Sequence, residues 1–185
     1  HNPDATLTIG LTQAELQLNQ KQTVQALATL NNLQEKWPEQ VRTKQLLLET
    51  YTSLDDWQAV IEILCSIEKN NLYSNKVIEE KKLKAYTGLM QDAGNSGDRR
   101  KLTKLWGEIQ HKLKKQHRLI ETYVSERLKF EDTKDCEVLL KETIKRQWDR
   151  KLVRLYGFVV AKDSNKQLNT AETWLNNYTH DPALF

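Results

Sequence analysis

Gln25-Ala-Leu-Ala-Thr-Leu-Asn-Asn-Leu-Gln-Glu-Lys-Trp-Pro38 is the stretch that decides the fold class of this chain. Ala26, Leu30 and Leu33 put a small and two apolar side chains on one face of a helix. Pro38 ends that helix, because it lacks an N–H and clashes with the preceding turn. The same offsets recur at Ala59, Ile63 and Ser66, thirty-three residues on. Leu102, Trp106 and Ile109 recur thirty-four residues later as Cys136, Leu140 and Thr143. Ala171, Leu175 and Tyr178 follow after thirty-five more, with Pro182 closing. A period of 33 to 35 is that of a stacked two-helix unit.

Composition agrees. With 6 Gly and 3 Pro among 185 residues, and Leu, Lys, Glu, Gln and Thr abundant, the chain is built for helices rather than for strands or disorder. The expected fold is all-α, an α-solenoid of tetratricopeptide-like antiparallel pairs with roughly ten helices. Charged residues make up 29% and the net charge is only +3, so the overall field does not demand nucleic acid. Cys65 and Cys136 fall on packing positions and read as buried thiols. No apolar run approaches the ~20 residues that a membrane span needs. The chain begins at His1 without an initiating Met, and Asp181-Pro-Ala-Leu-Phe185 reads as the start of another helix. The expectation is therefore a piece of a longer protein, with its last repeat truncated and an apolar end at 182–185 available for self-association.

Helices are expected at 5–20, 23–37, 39–53, 57–69, 74–92, 98–112, 116–130, 133–147, 149–157 and 164–178. Asp55 and Asp56 are candidate caps for the fourth, Asp98 for the sixth and Asp149 for the ninth. Gly88 suggests a close helix–helix approach, and Gly94-Asn-Ser-Gly97 reads as a loop. The spacing from Ala59 to Leu102 is 43, so an insertion divides regular repeats over 5–69 from divergent ones over 74–185 within a single solenoid region.

The search for chemistry is negative. The six glycines never form a phosphate loop or dinucleotide pattern, and neither HExxH nor CxxC occurs. His111 and His117 are six apart and do not share a helix face, and neither Cys65 nor Cys136 precedes Pro as a thiolate haem ligand often does. No metal site, no cofactor and no enzymatic activity are expected. Two basic runs remain, 99–118 with eight Lys or Arg and 141–154 with six. A solvated helix face is the plain explanation; contact with anionic lipid or with an acidic partner is the functional one. Nucleic acid is disfavoured, because the aromatics sit on apolar stripes rather than between the basic residues. The sequon Asn177-Tyr-Thr179 carries no weight.

What remains is a groove. First helices of such repeats line a concave surface that takes peptides or helices, and Glu15, Asn19, Lys44, Leu48, Tyr51, Thr52, Lys84 and Thr87 are its candidate residues. Leu48 and Tyr51 offer apolar pockets, and Lys44 and Lys84 charge selection.

Several phrases also occur together, and in this order, in a known family. They are Leu11-Thr-Gln-Ala-Glu-Leu-Gln-Leu18, the Gln25–Leu30 phrase, Asp56-Trp57, Ala85-Tyr-Thr-Gly-Leu-Met90, Lys145-Arg-Gln-Trp-Asp-Arg-Lys-Leu-Val-Arg-Leu-Tyr-Gly157 and Ala171-Glu-Thr-Trp-Leu175. The chain resembles the proteobacterial HemY family of tetratricopeptide proteins, which is distinct from the protoporphyrinogen oxidase sharing that name. The resemblance implies a bacterial inner-membrane parent whose repeat region faces the cytoplasm. That region would act as a non-catalytic scaffold or regulator in late haem or porphyrin biosynthesis, with haem-pathway enzymes as protein partners. Arg146, Trp148, Arg150 and Arg154 mark the family-like block as a candidate partner surface. The same block also reads as a packing corner, with Asp149 as cap and Leu152, Leu155 and Tyr156 as core. The alternatives to the haem-linked scaffold are a generic adaptor for an unrelated peptide or envelope-assembly partner, and a haem or porphyrin carrier.

Overall fold

The computed structural model describes residues 3–69, 72–133 and 135–178. His1, Thr179, His180 and the ending at 181–185 lie outside the described residues, and with them the closing Pro182 and the expected apolar end face. Eleven α-helices, and no strand, occur among the described residues. They are α1 (Pro3–Asn19), α2 (Thr23–Lys36), α3 (Val41–Ser53), α4 (Trp57–Glu68), α5 (Asn75–Asn95), α6 (Arg99–Glu108), α7 (His111–Lys114), α8 (His117–Leu128), α9 (Cys136–Arg146), α10 (Arg150–Phe158) and α11 (Ser164–Asn177). None is long and apolar enough to cross a membrane.

The eleventh helix comes from a break in the sixth expected one. Ile109 and Gln110 are extended, with ψ of 133° and 139°, which leaves His111–Lys114 as a separate turn. Ile109, at the break, is buried with Leu102 and Leu105 of α6. The expected loop at 94–97 is shorter than anticipated: α5 continues through Asn95, and only Ser96 and Gly97 turn. Gly88 is buried in α5, and a tight approach lies at Gly94, where an added Cβ would collide with the Glu126 carboxylate.

The aspartate caps behave as capping chemistry requires, accepting orphan N–H groups at the positive end of the helix dipole. Asp56 accepts from Ala59 N–H at 3.1 Å, Asp98 from Lys101 at 2.8 Å and Asp149 from Lys151 at 2.8 Å. Asp163 does the same for α11, accepting from Lys166 at 3.1 Å.

The chain divides into two compact units, His1–Ala85 and Tyr86–Phe185, with the division inside α5. In the first, α2 packs on α1 and α3, α3 packs on α4, and α1 also touches α3. Its core joins Ala14, Leu30, Leu33, Leu46 and Leu47, followed by Leu48, Val60, Leu64, Ile67 and Ala85. In the second, α8 packs on α6, α7, α9 and α10, and α9 packs on α10. Trp106 stacks on Tyr123 at 4.2 Å, and α11 joins through Trp174, which meets Tyr156 at 4.7 Å and Trp148 at 6.0 Å.

Burial fixes the repeat more sharply than the sequence offsets do. In α4 the buried set is Val60, Leu64 and Ile67 rather than Ala59, Ile63 and Ser66, so it stands thirty-four residues from Ala26, Leu30 and Leu33. In α11 the buried residue is Trp174, thirty-four from Leu140, rather than Leu175. The turns keep the same period. Lys21 and Asp55 hold left-handed φ of 60° and 54°, and Gly97 and Glu131 hold 72° and 55°; each pair is thirty-four apart. The step from Asp55 to Gly97 is forty-two, so the insertion amounts to eight residues rather than nine.

Cys136 is buried, and desolvation pushes its thiol up to about 11 even though Arg127 pulls the other way. Cys65, expected inside, is exposed: α4 turns its buried face through Leu64 and Ile67 instead.

The left-handed turns predict stability changes of opposite sign. Gly97→Ala puts a Cβ on a backbone at φ 72° and should lower stability by about 1–2 kcal/mol. Lys21→Gly relieves the same strain and should raise stability by up to about 1 kcal/mol. Urea unfolding followed by circular dichroism reads both, and a Gly97→Ala protein as stable as its parent would contradict the turn geometry.

Candidate functional site

The structure scatters the residues expected to line a groove in the first unit. Glu15 is tied to Arg42 at 2.6 Å, which links α1 to α3, and Asn19 is exposed at the end of α1. Lys44 is 2% exposed and its Nζ lies 3.1 Å from Glu39; Leu48 is 1% exposed and belongs to the core. Neither presents a side chain to a ligand. The reason is that α3 touches α1, α2 and α4 at once, so it buries faces that a one-stripe helix would leave to solvent. Tyr51 is half-buried against both core clusters, with its Oη 3.3 Å from Asn31 Oδ1. Thr52 donates its hydroxyl to the Leu48 carbonyl at 2.6 Å. Lys84 is exposed, with its Nζ 5.3 Å from the centre of the Trp57 ring. Thr87 belongs to the second unit and is buried at the edge of a cleft there.

That cleft, of about 690 Å³, is the candidate site. Thr87 and Gln91 of α5 form one side, and Asp149 and Lys151 at the start of α10 another. The floor is α8, through His117, Arg118, Glu121, Thr122, Ser125 and Glu126. The spacing explains the floor. Leu119, Ile120, Tyr123 and Val124 take the buried face of α8, which leaves His117, Glu121 and Ser125, one turn apart, along the cleft. Two contacts link α8 to the start of α10: a hydrogen bond between His117 Nδ1 and Asp149 Oδ2 at 3.0 Å, and an ion pair between Glu121 and Lys151 at 3.2 Å. Burial alone would raise the Asp149 carboxyl. The hydrogen bond with His117 and the N–H groups of Leu152 and Lys151 outweigh it and hold the group below the usual carboxylate range.

Beneath the floor, Arg127 is 5% exposed, and each of its three side-chain nitrogens has a partner. Its Nε donates to the Asp132 carbonyl at 2.7 Å, Nη1 to Tyr123 Oη at 2.7 Å, and Nη2 pairs with Asp132 Oδ2 at 2.8 Å. Asp132 also holds Arg99. Glu126 pairs with Lys129 at 2.6 Å beside Gly94.

The family-like block is mostly a packing corner. Asp149 caps α10, Leu152 and Tyr156 are buried, and Trp148 stacks on Tyr178 at 3.8 Å. The Tyr156 hydroxyl, 2.9 Å from Glu137, is pushed up to about 12 by burial and by that carboxylate, so it serves as a neutral donor. Arg146, Arg150 and Arg154 are exposed. Sequence reasoning missed His117, Glu121 and Lys151 as a set. Their only signal was that 117, 121 and 125 stand at helical spacing opposite an apolar stripe.

The cleft is suited to holding a ligand. Asp149 orients the His117 ring, yet Ser125 lies two turns along α8, about 12 Å by helix rise, beyond direct proton transfer. Among the described residues, no three His, Cys, Asp or Glu side chains gather to hold a metal ion. No family model matches the chain, and no curated protein matches it.

The lowered Asp149 pKa fixes the sign of a pH effect. Its contribution to stability is full above about pH 4, the ordinary carboxyl value, and is lost as pH falls through the lower folded value. Asp149→Asn keeps a capping oxygen and should remove that acid-side loss, whereas Asp149→Ala also loses the cap, at about 1 kcal/mol. Melting curves of the three proteins at neutral and acidic pH separate the effects; an identical acid response in Asp149→Asn would refute the assignment.

Proposed function

We propose that this chain is a non-catalytic protein-interaction scaffold of tetratricopeptide-type helix pairs, serving late haem or porphyrin biosynthesis at the bacterial inner membrane. The observation that carries the scaffold reading is the thirty-four-residue recurrence of both buried positions and left-handed turns, at Leu30 and Leu64, Leu140 and Trp174, Lys21 and Asp55, and Gly97 and Glu131. First helices of successive pairs meet in each unit, α1 with α3 and α8 with α10, as a repeat that lines a ligand surface with its first helices requires. In the second unit the α8–α10 side bears the open polar cleft.

The haem-pathway part rests on the sequence phrases shared with the HemY family, above all the block at 145–157. Its parent would be membrane-anchored, with this region facing the cytoplasm and haem-pathway enzymes as partners. A pull-down from the native membrane fraction decides between this and a generic adaptor. Enrichment of a haem-biosynthesis enzyme, reduced at least several-fold by Glu121→Lys in the cleft, is the expected result. Enrichment of an unrelated envelope protein instead would favour the adaptor, and equal recovery with Glu121→Lys would remove the cleft from the account.

A further inference from the structure

The two basic runs, 99–118 and 141–154, meet at one place in the second unit. A cleft of about 520 Å³ lies where α7 passes into α8 beside the end of α9, lined by Lys115, Gln116, His117, Arg118, Arg146 and Gln147. No carboxylate lines it. We propose that this cleft binds a phosphoryl oxyanion, either on a soluble phosphate ester or on an anionic lipid headgroup.

Charge balance is the main argument. Several other cations of this unit pair with acids: Arg99 and Arg127 share Asp132, Lys129 has Glu126, and Lys151 has Glu121. Lys115 and Arg118 have no acidic partner among the described residues. The Arg146 guanidinium makes a long contact, 3.5 Å, with the Lys115 carbonyl. Three like charges brought to one concavity repel one another, and an anion placed among them removes that repulsion.

The nearby acids do not do this. Asp149 is turned to His117 and to the N–H groups of Lys151 and Leu152. Glu142 lines the adjoining cleft on the other side of Arg146, together with His111 and Lys114.

Donor geometry points to phosphate. Two guanidinium forks and an ammonium supply more positive charge and more donors than one carboxylate can use, and they match a dianion with several oxygens. The backbone adds to this. Gln116 occupies the N-cap of the twelve-residue α8 without a side-chain cap bond, and His117 and Arg118, the first residues of that helix, line the same cleft. This site is separate from the scaffold reading and can hold or fall without it.

The test follows the amide resonances of His117 and Arg118 while the full chain is titrated with sodium phosphate against sodium chloride at matched ionic strength. Saturable shifts with phosphate alone are expected, and Arg118→Ala with Arg146→Ala together should weaken binding at least ten-fold. Lys151→Ala, a nearby cation already paired with Glu121, should leave it unchanged. Circular dichroism and melting temperature verify that the double variant is folded.

A second arm uses phosphatidylcholine vesicles with and without phosphatidic acid. Co-sedimentation that needs phosphatidic acid and both arginines supports the site with lipid as its source, and saturable phosphate binding without co-sedimentation supports it with a soluble ester. Linear shifts, equal shifts with chloride, an unaffected double variant, or binding of an acidic glutamate peptide in place of phosphate would overturn it.

Discussion

A left-handed residue in the connections α1–α2, α3–α4, α5–α6 and α8–α9 is the constraint from which the rest follows. Lys21, Asp55 and Gly97 each reverse the chain within three residues, and Glu131 lies in the longer connection between α8 and α9. The next N–H reaches back five residues at three of these turns, from Gln22 to Gln17, Asp56 to Tyr51 and Asp98 to Ala93, at 2.8 to 3.0 Å. A turn of this kind leaves no slack, so the apolar faces of the two helices are brought together in a fixed register. The residue after the turn can then cap the following helix, as Asp56 and Asp98 do.

At the fourth turn the same position takes another role. Asp132 stands thirty-four residues after Asp98, but it binds Arg127 and Arg99 instead of capping a helix. A buried guanidinium is costly unless every donor is used, and Arg127 uses its donors on Asp132 and Tyr123. Tyr123 is thereby held against Trp106, whose other neighbour is the Lys114 ammonium at 5.7 Å. The buried face of α8 is locked by this chain of contacts, and its opposite face becomes the floor of the polar cleft. The cation cleft at the start of α8 shares His117 and Arg118 with that floor. One helix, fixed from beneath, thus supplies both candidate binding surfaces.

Periodicity made the helices and the aspartate caps legible in the sequence, since both depend on local spacing and side-chain chemistry. The apolar stripe makes Val60, Leu64 and Ile67 legible as the buried face of α4, whereas the repeat offsets fall one residue away, because Ala59 and Leu175 satisfy the offset pattern as well as Val60 and Trp174 do. Lys44, Lys82 and Arg127 are cations inside the fold, a placement that residue type alone does not announce. Each is buried against a partner, Glu39, Glu68 and Asp132, and no local pattern announces such a pairing. For the same reason Lys44 and Leu48 were assigned to a groove that α3, enclosed by three helices, does not offer. The clefts depend on contacts some thirty residues apart, such as His117 with Asp149, and these become visible only when the helices are packed.

We propose that a protein partner docks on the open side of α8 and its neighbours. Photo-crosslinking in intact cells tests this directly, with a photoreactive phenylalanine at Gln91 on the cleft wall or at exposed Leu168 of α11. A discrete protein adduct from position 91 and none from 168 is the predicted result. No adduct from 91, or the same adducts from both positions, would contradict the account.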